Sequence, residues 1–174
     1  FAATSQSEGR ELWGSDGTSP GTVLVKDIAD GGASSSPEGF TELSGSLLVA
    51  ATNGTGRELW RTDGTTVGTA LVRDIFPGFG WSDPSFLTRA GSQVFFAATG
   101  SISGRELWRT DGTSAGTLRV KDIAPGAVSS NPTGLVALGS TVFFAANDGT
   151  HGVELWRSDG TEAGTVLVKD LRLG

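Results

Sequence analysis

Four aspartates, Asp16, Asp63, Asp111 and Asp159, each precede a Gly-Thr pair, and carboxylates in glycine-rich turns are the hard-oxygen donors that calcium takes. Each turn supplies only one carboxylate. An aspartate capping its own turn through a side-chain-to-backbone bond explains the Asp-Gly pair directly, so neither a metal site nor a cofactor is expected. Three residues before each aspartate stands a tryptophan: Trp13, Trp60, Trp108 and Trp156. These rings could stack on sugars, but a tryptophan in every unit is also what packing between layers requires, and packing is the preferred reading. Two further aromatics, Phe79 and Trp81, lie in Pro77-Gly78-Phe79-Gly80-Trp81-Ser82-Asp83-Pro84, where equivalent segments hold small residues. They form either a loop folded on itself or a contact surface for a ligand or another chain. His151 is the single histidine, and no serine sits in a Gly-x-Ser-x-Gly setting, so the spacing offers no Ser/His/Asp site.

These residues recur because the chain repeats. Glu-Leu-Trp-x-x-Asp-Gly-Thr begins at Glu11, Glu58, Glu106 and Glu154, a period of 47 or 48 residues, which belongs to solenoids and propellers. Each unit reads as four short strands. In the copy that starts near Pro84, Phe86 to Ala90 alternates as a half-buried strand should, and Gly91-Ser92 turns the chain. Val94 to Ala98 is continuously apolar, as in a strand covered on both faces. The Glu-Leu-Trp segment is the third strand. After Asp-Gly-Thr the chain reverses into a fourth, Ala70 to Ile75 in the preceding copy. Four short strands per unit predict an all-β fold, a β-propeller of four-stranded antiparallel blades, with the alternating strand innermost. No segment has the period of a helix. The array divides into a partial blade over 1–30 and blades over 31–75, 76–123 and 124–174. Middle-strand residues Val94, Phe95, Phe96, Trp108, Phe143, Phe144 and Trp156 are the expected core. The rim aspartates Asp27, Asp74, Asp122 and Asp170 are expected to find cross-strand partners such as Glu58.

Composition narrows the partners. A net charge of −6 without any block of Lys or Arg excludes a surface that tracks phosphates, so nucleic acid is not expected. The chain has no cysteine, hence no disulfide or thiol chemistry, and no apolar run long enough to insert in a membrane. With no methionine and a first residue Phe1, it reads as a processed product or a piece of something longer. Asn53-Gly54-Thr55 fits a glycosylation sequon but needs no such role as a hairpin tip.

Glu58-Leu59-Trp60-Arg61-Thr62-Asp63-Gly64-Thr65 with Gly68-Thr69 resembles the bacterial ELWxxDGT repeat proteins, and the likeness covers essentially the whole chain. It implies a large secreted or cell-surface protein of many such units, and it brings no catalytic residues. Gly14 stands where other copies have Arg61, Arg109 and Arg157. The reading that follows is a non-catalytic extracellular module that binds or scaffolds. Its partners would be itself or further repeats that close a ring, and a carbohydrate or other cell-surface component. One alternative is a propeller lectin using the aromatics between blades. Another is a propeller hydrolase, which would need carboxylates converging in the axial funnel, whereas most carboxylates here fall in turns and at the rim.

Overall fold

The computed structural model describes residues 1–78 and 80–171. They form four antiparallel sheets with no helix among them. The first has three strands, β1 (Ala2–Ser5), β2 (Gly9–Gly14) and β3 (Val23–Lys26). The second runs β4 (Glu38–Leu43), β5 (Ser46–Thr52), β6 (Arg57–Thr62) and β7 (Ala70–Arg73). The third runs β8 (Ser85–Ala90), β9 (Gln93–Gly100), β10 (Gly104–Thr110) and β11 (Leu118–Arg119). The fourth runs β12 (Thr133–Leu138), β13 (Thr141–Asn147), β14 (Val153–Ser158) and β15 (Val166–Lys169). Each sheet is a meander whose strands pair in chain order.

The first strands of successive sheets lie side by side. Thr41 Oγ1 donates to the Leu87 carbonyl at 3.2 Å, and Thr88 Oγ1 to the Leu135 carbonyl at 3.4 Å, so β4, β8 and β12 are the inner strands of a propeller-like arrangement that does not close. The outer strands are shorter than the Val-Leu-Val-Lys-Asp-Ile run suggests. β7 ends at Arg73, before Asp74 and Ile75, and β11 is only two residues long. What the run does instead is turn inward: Ile28, Ile75 and Ile123 leave the ladder and are buried between sheets.

Each boundary between sheets holds one apolar cluster, and the three clusters are built alike. Leu12, Val25 and Ile28 meet Val49, Ala51 and Trp60. Leu48, Leu59, Val72 and Ile75 meet Val94, Phe96, Ala98 and Trp108. Phe95, Leu107, Val120 and Ile123 meet Val142, Phe144, Ala146 and Trp156. The reason is strand alternation: adjacent residues of a middle strand point to opposite faces, so Phe96 packs backward and Phe95 forward. Phe143 corrects the expected core. It occupies the place of Phe95, but among the described residues no sheet covers that face of the fourth sheet, and it is only half-buried.

Polar contacts repeat across the same boundaries. Lys26 Nζ donates to the Thr69 carbonyl at 2.8 Å, Arg73 Nη1 to Thr117 at 2.6 Å and Lys121 Nζ to Thr165 at 2.9 Å. Each of these cations, at the end of an outer strand or just past it, thus ties its sheet to the turn of the next. In sequence the spacing of 43 or 44 residues carries this link, hidden because the partner is a backbone carbonyl.

Candidate functional site

The Asp-Gly-Thr aspartates cap their own turns. Asp63 Oδ1 accepts the Thr65 N–H at 2.9 Å and its hydroxyl at 2.7 Å, and Asp16, Asp111 and Asp159 do the same with Thr18, Thr113 and Thr161. The threonine hydroxyl and then the threonine amide hold all four carboxyls below their ordinary value. Among the described residues no group of three or more His, Asp or Glu is placed to hold a metal ion. The second glycine of the motif also has a specific cause. A Cβ on Gly116 would stand 2.1 Å from Asp111 Oδ1, and Gly21, Gly68 and Gly164 are blocked in the same way. Gly116→Ala is therefore expected to destabilise the protein by about 1–3 kcal/mol, the usual range for overpacking. Asp111→Ala should cost less on the Gly116→Ala background than on the parent in thermal melts, because there it also removes the atoms in the way while giving up the turn cap.

The glutamate of the repeat is the residue whose role the sequence hid. Glu106 is completely buried, and its carboxylate accepts the Ile123 N–H at 3.1 Å, the Ser130 N–H at 3.0 Å and the Ser130 hydroxyl at 2.6 Å. Glu58 holds Ile75 and Ser82 alike, and Glu11 holds Ile28 and Ser35. The carboxylate is a clasp that closes the segment linking two sheets. Burial raises the Glu58 and Glu106 carboxyls above their ordinary value against the lowering effect of these donors. The expected pairing of the rim aspartates with Glu58 is corrected here, since two carboxylates repel and Asp74 pushes the Glu58 carboxyl further up. Asp27 and Asp122 instead accept the Gly31 and Gly126 amides. A serine 24 residues after each Glu, at 35, 82 and 130, was the signal for the clasp.

Of the candidate aromatics, Trp60, Trp108 and Trp156 are buried in the three boundaries, and Trp13 is half-buried. None of the four indole N–H groups has a hydrogen-bond partner among the described residues, so what each tryptophan contributes is its ring area. They are not brought together into one site. Trp81 is 62% exposed and lies near the hairpin glycine Gly56, and Phe79 falls outside the described residues.

His151 and Asp148 form the one histidine–carboxylate pair, with Nδ1 2.7 Å from Oδ2, in the exposed tip of the β13–β14 hairpin. Burial pushes Asp148 up, but hydrogen bonds from the His151 amide and ring and from the Thr150 amide bring it to about 2. The Asp148 hydrogen bond in turn raises the imidazole above its ordinary value. An NMR titration of the ring should show this upward displacement, and Asp148→Asn should reduce it, leaving the smaller pull of Asp170 and Glu154. The dyad has the orienting half of a nucleophile-activating arrangement, but its hydrogen bonds remain within the hairpin tip.

A different group of residues lines a cavity of about 350 Å³ beside the N-terminal ends of β4 and β8, near the axis of the arrangement: Glu38, Arg57, Asp83, Pro84, Ser85 and Phe86. Arg57 is its floor. The guanidinium donates to the Ser36 carbonyl at 2.9 Å and to Glu38 Oε2 at 3.2 Å, and its Nε lies 3.4 Å from Asp83 Oδ1. Arg105 flanks it, donating to the Asp83 carbonyl at 2.9 Å, to Ser85 Oγ at 2.5 Å and to the Ala97 carbonyl. Three non-glycine residues with positive φ frame the cavity: Ser36 and Asp83, each before a buried proline, and Phe86. This site leaves no periodic sign among the residues, because it is made where one copy departs from the others.

No family model matches the chain, and no curated protein matches it. Solved structures do share its fold. The crystal structure of puromycin hydrolase matches with a TM-score of 0.55 at 17% identity, over 94% of this chain and 26% of that one. A serine-to-alanine mutant of puromycin hydrolase complexed with PGG matches with a TM-score of 0.56 at 15% identity, over 96% of this chain and 26% of that one. This chain thus spans about a quarter of the length of the proteins it matches. The expectation of a non-catalytic binding or scaffolding module is corrected by this finding, since the neighbours in fold are hydrolases and favour the propeller-hydrolase alternative.

Proposed function

We propose that these sheets are the propeller part of a hydrolase, arranged about an axis so as to confine and admit the substrate. The observation that carries the reading is the fold shared with puromycin hydrolase over nearly the whole of this chain. The cavity by the inner strands fits it, since a pocket of that size with an exposed aromatic and convergent charged groups is suited to a small organic substrate. In this reading the sheets are blades repeating every 47 or 48 residues, and further units of ELWxxDGT type cover the open face of the fourth sheet. Support comes from Leu155, which is 43% exposed where its equivalents Leu12, Leu59 and Leu107 are buried by a following sheet. We read the protein as secreted or displayed at the cell surface, as the repeat resemblance implies.

The test is turnover. The protein carrying these blades, at its natural length, is incubated with puromycin and with a panel of aminoacyl and peptidyl amides, and released amine is followed by chromatography. Hydrolysis above the uncatalysed rate is expected. A complete lack of hydrolysis across the panel would overturn the reading.

A further inference from the structure

The second residue of each inner strand lies in the left-handed region: Gly39 at φ 70°, Phe86 at φ 58° and Gly134 at φ 62°. Each sits in a bulge, between the broken registers Glu38/Thr41, Ser85/Thr88 and Thr133/Val136. Glycine adopts this conformation freely, whereas a bulky side chain there is a true outlier. Phe86 does not offset that strain by burial, because the residue is 47% exposed and joins none of the buried clusters. A strained residue that leaves the core unserved points outward, to something it meets.

Its surroundings depart from the repeat as well. Around Arg57 stand Glu38, Asp83 and Phe86, while around Arg105, one unit on, the same places hold Ser85, Asn131 and Gly134. Two carboxylates and one aromatic have therefore replaced a serine, an amide and a glycine at a single boundary. The charges that face outward are the acids: the Glu38 and Asp83 side chains are 69% and 58% exposed, against 14% for Arg57. Both guanidinium groups are directed at the cavity wall, Arg57 at Ser36, Glu38 and Asp83, and Arg105 at Asp83, Ser85 and Ala97. An anionic ligand would meet the carboxylates first. A cation carried on an apolar group would meet carboxylates on one side and a ring on the other, with a charge-assisted hydrogen bond and cation–π attraction both available.

We infer that the cavity between the inner ends of β4 and β8 binds an organic amine, a primary ammonium attached to an aromatic or branched apolar group, with the apolar part on Phe86 and the ammonium at Glu38 and Asp83. This is a statement about binding and holds whether or not the protein turns the ligand over, so its failure and that of the hydrolase reading are separable. The probe is phenylalaninamide, titrated calorimetrically against the protein, with N-acetylphenylalaninamide as the same ring without the charge. The acetylated compound should bind at least about tenfold more weakly, as should phenylalaninamide to the double variant Glu38→Gln/Asp83→Asn. Phe86→Gly restores the residue found in the other units. It should raise the thermal midpoint by removing backbone strain and weaken phenylalaninamide binding at least about tenfold. Equal binding of the two compounds, unchanged binding by Phe86→Gly, a midpoint lowered by that substitution, or no binding of phenylalaninamide at millimolar concentration would each overturn the inference.

Discussion

Glu106→Ala is expected to lower stability by about 3–5 kcal/mol, on the basis of roughly 1–3 kcal/mol for each buried donor left without a partner. Ile123 N–H and Ser130 N–H both lose their acceptor in a boundary that excludes water, and the Ser130 hydroxyl loses its own. For a chain of this size the change reads as a fall of about 10 °C in thermal midpoint. Glu154→Ala should cost much less, because Glu154 accepts only the Leu171 N–H, at 3.3 Å, among the described residues. Equal losses for the two substitutions would show that the glutamate acts through something other than the clasp. Acidity adds a second signature. The Glu58 and Glu106 carboxyls are raised in the folded protein, so the native state binds protons more readily there. Their contribution is greatest below the ordinary carboxyl value and declines as pH rises through the raised one. The four turn aspartates are lowered, so theirs is present above the ordinary aspartate value and fades as pH falls through the depressed one. A pH series of melts should accordingly show less acid destabilisation for Asp111→Asn than for the parent, and Glu106→Ala should lose the decline on the alkaline side.

Trp156→Ala is the second large effect, expected at about 3–5 kcal/mol, the range for truncating a large aromatic in a core. Its ring is buried against the cluster that contains Phe95, Leu107, Val120 and Phe144, and removing it leaves a void between the third and fourth sheets. Trp13→Ala, at a half-buried position, should cost distinctly less, and Trp81→Ala should fall within about 0.5 kcal/mol as other exposed substitutions do. The order Trp156, Trp13, Trp81 in urea midpoints checks the assignment. A loss of sugar binding without a loss of stability at Trp156 would instead return that ring to the glycan-binding reading.

How much of this was legible from the residues depends on how far each contact reaches. The strands and their order within a sheet follow from alternation at Phe86 to Ala90, the apolar run at Val94 to Ala98 and the glycine-bearing turns, all of which act over a few residues. The Asp111–Thr113 cap is equally local. The clasp was not, because Glu106 and Ser130 are 24 residues apart and a glutamate in a strand reads as a solvated residue. The cations at the ends of the outer strands or just past them were missed for a related reason, since Lys121 binds a backbone carbonyl, and carbonyls leave no trace in residue identity. Phe143 shows the opposite failure. Its pattern is that of Phe95, and only the absence of a covering sheet among the described residues distinguishes them. The cavity by the inner strands is built from residues that do not repeat. Glu38, Asp83 and Phe86 are informative because Ser85, Asn131 and Gly134 differ from them, and a bulge with a left-handed residue cannot be seen in an alternating run.

Segments that connect sheets are ordinarily where amide protons trade places with water fastest, because they carry few protected hydrogen bonds. In this protein the amides of Ile75, Ser82, Ile123 and Ser130 point at buried carboxylates. In deuterated water these four should keep their protons as long as the middle strands do. They can be released only when Glu58 or Glu106 lets go, which requires neighbouring sheets to part. The slow amides of the linking segments therefore act as a clock for separation of one sheet from the next, a motion that loss of signal from the strands themselves would not distinguish from global unfolding.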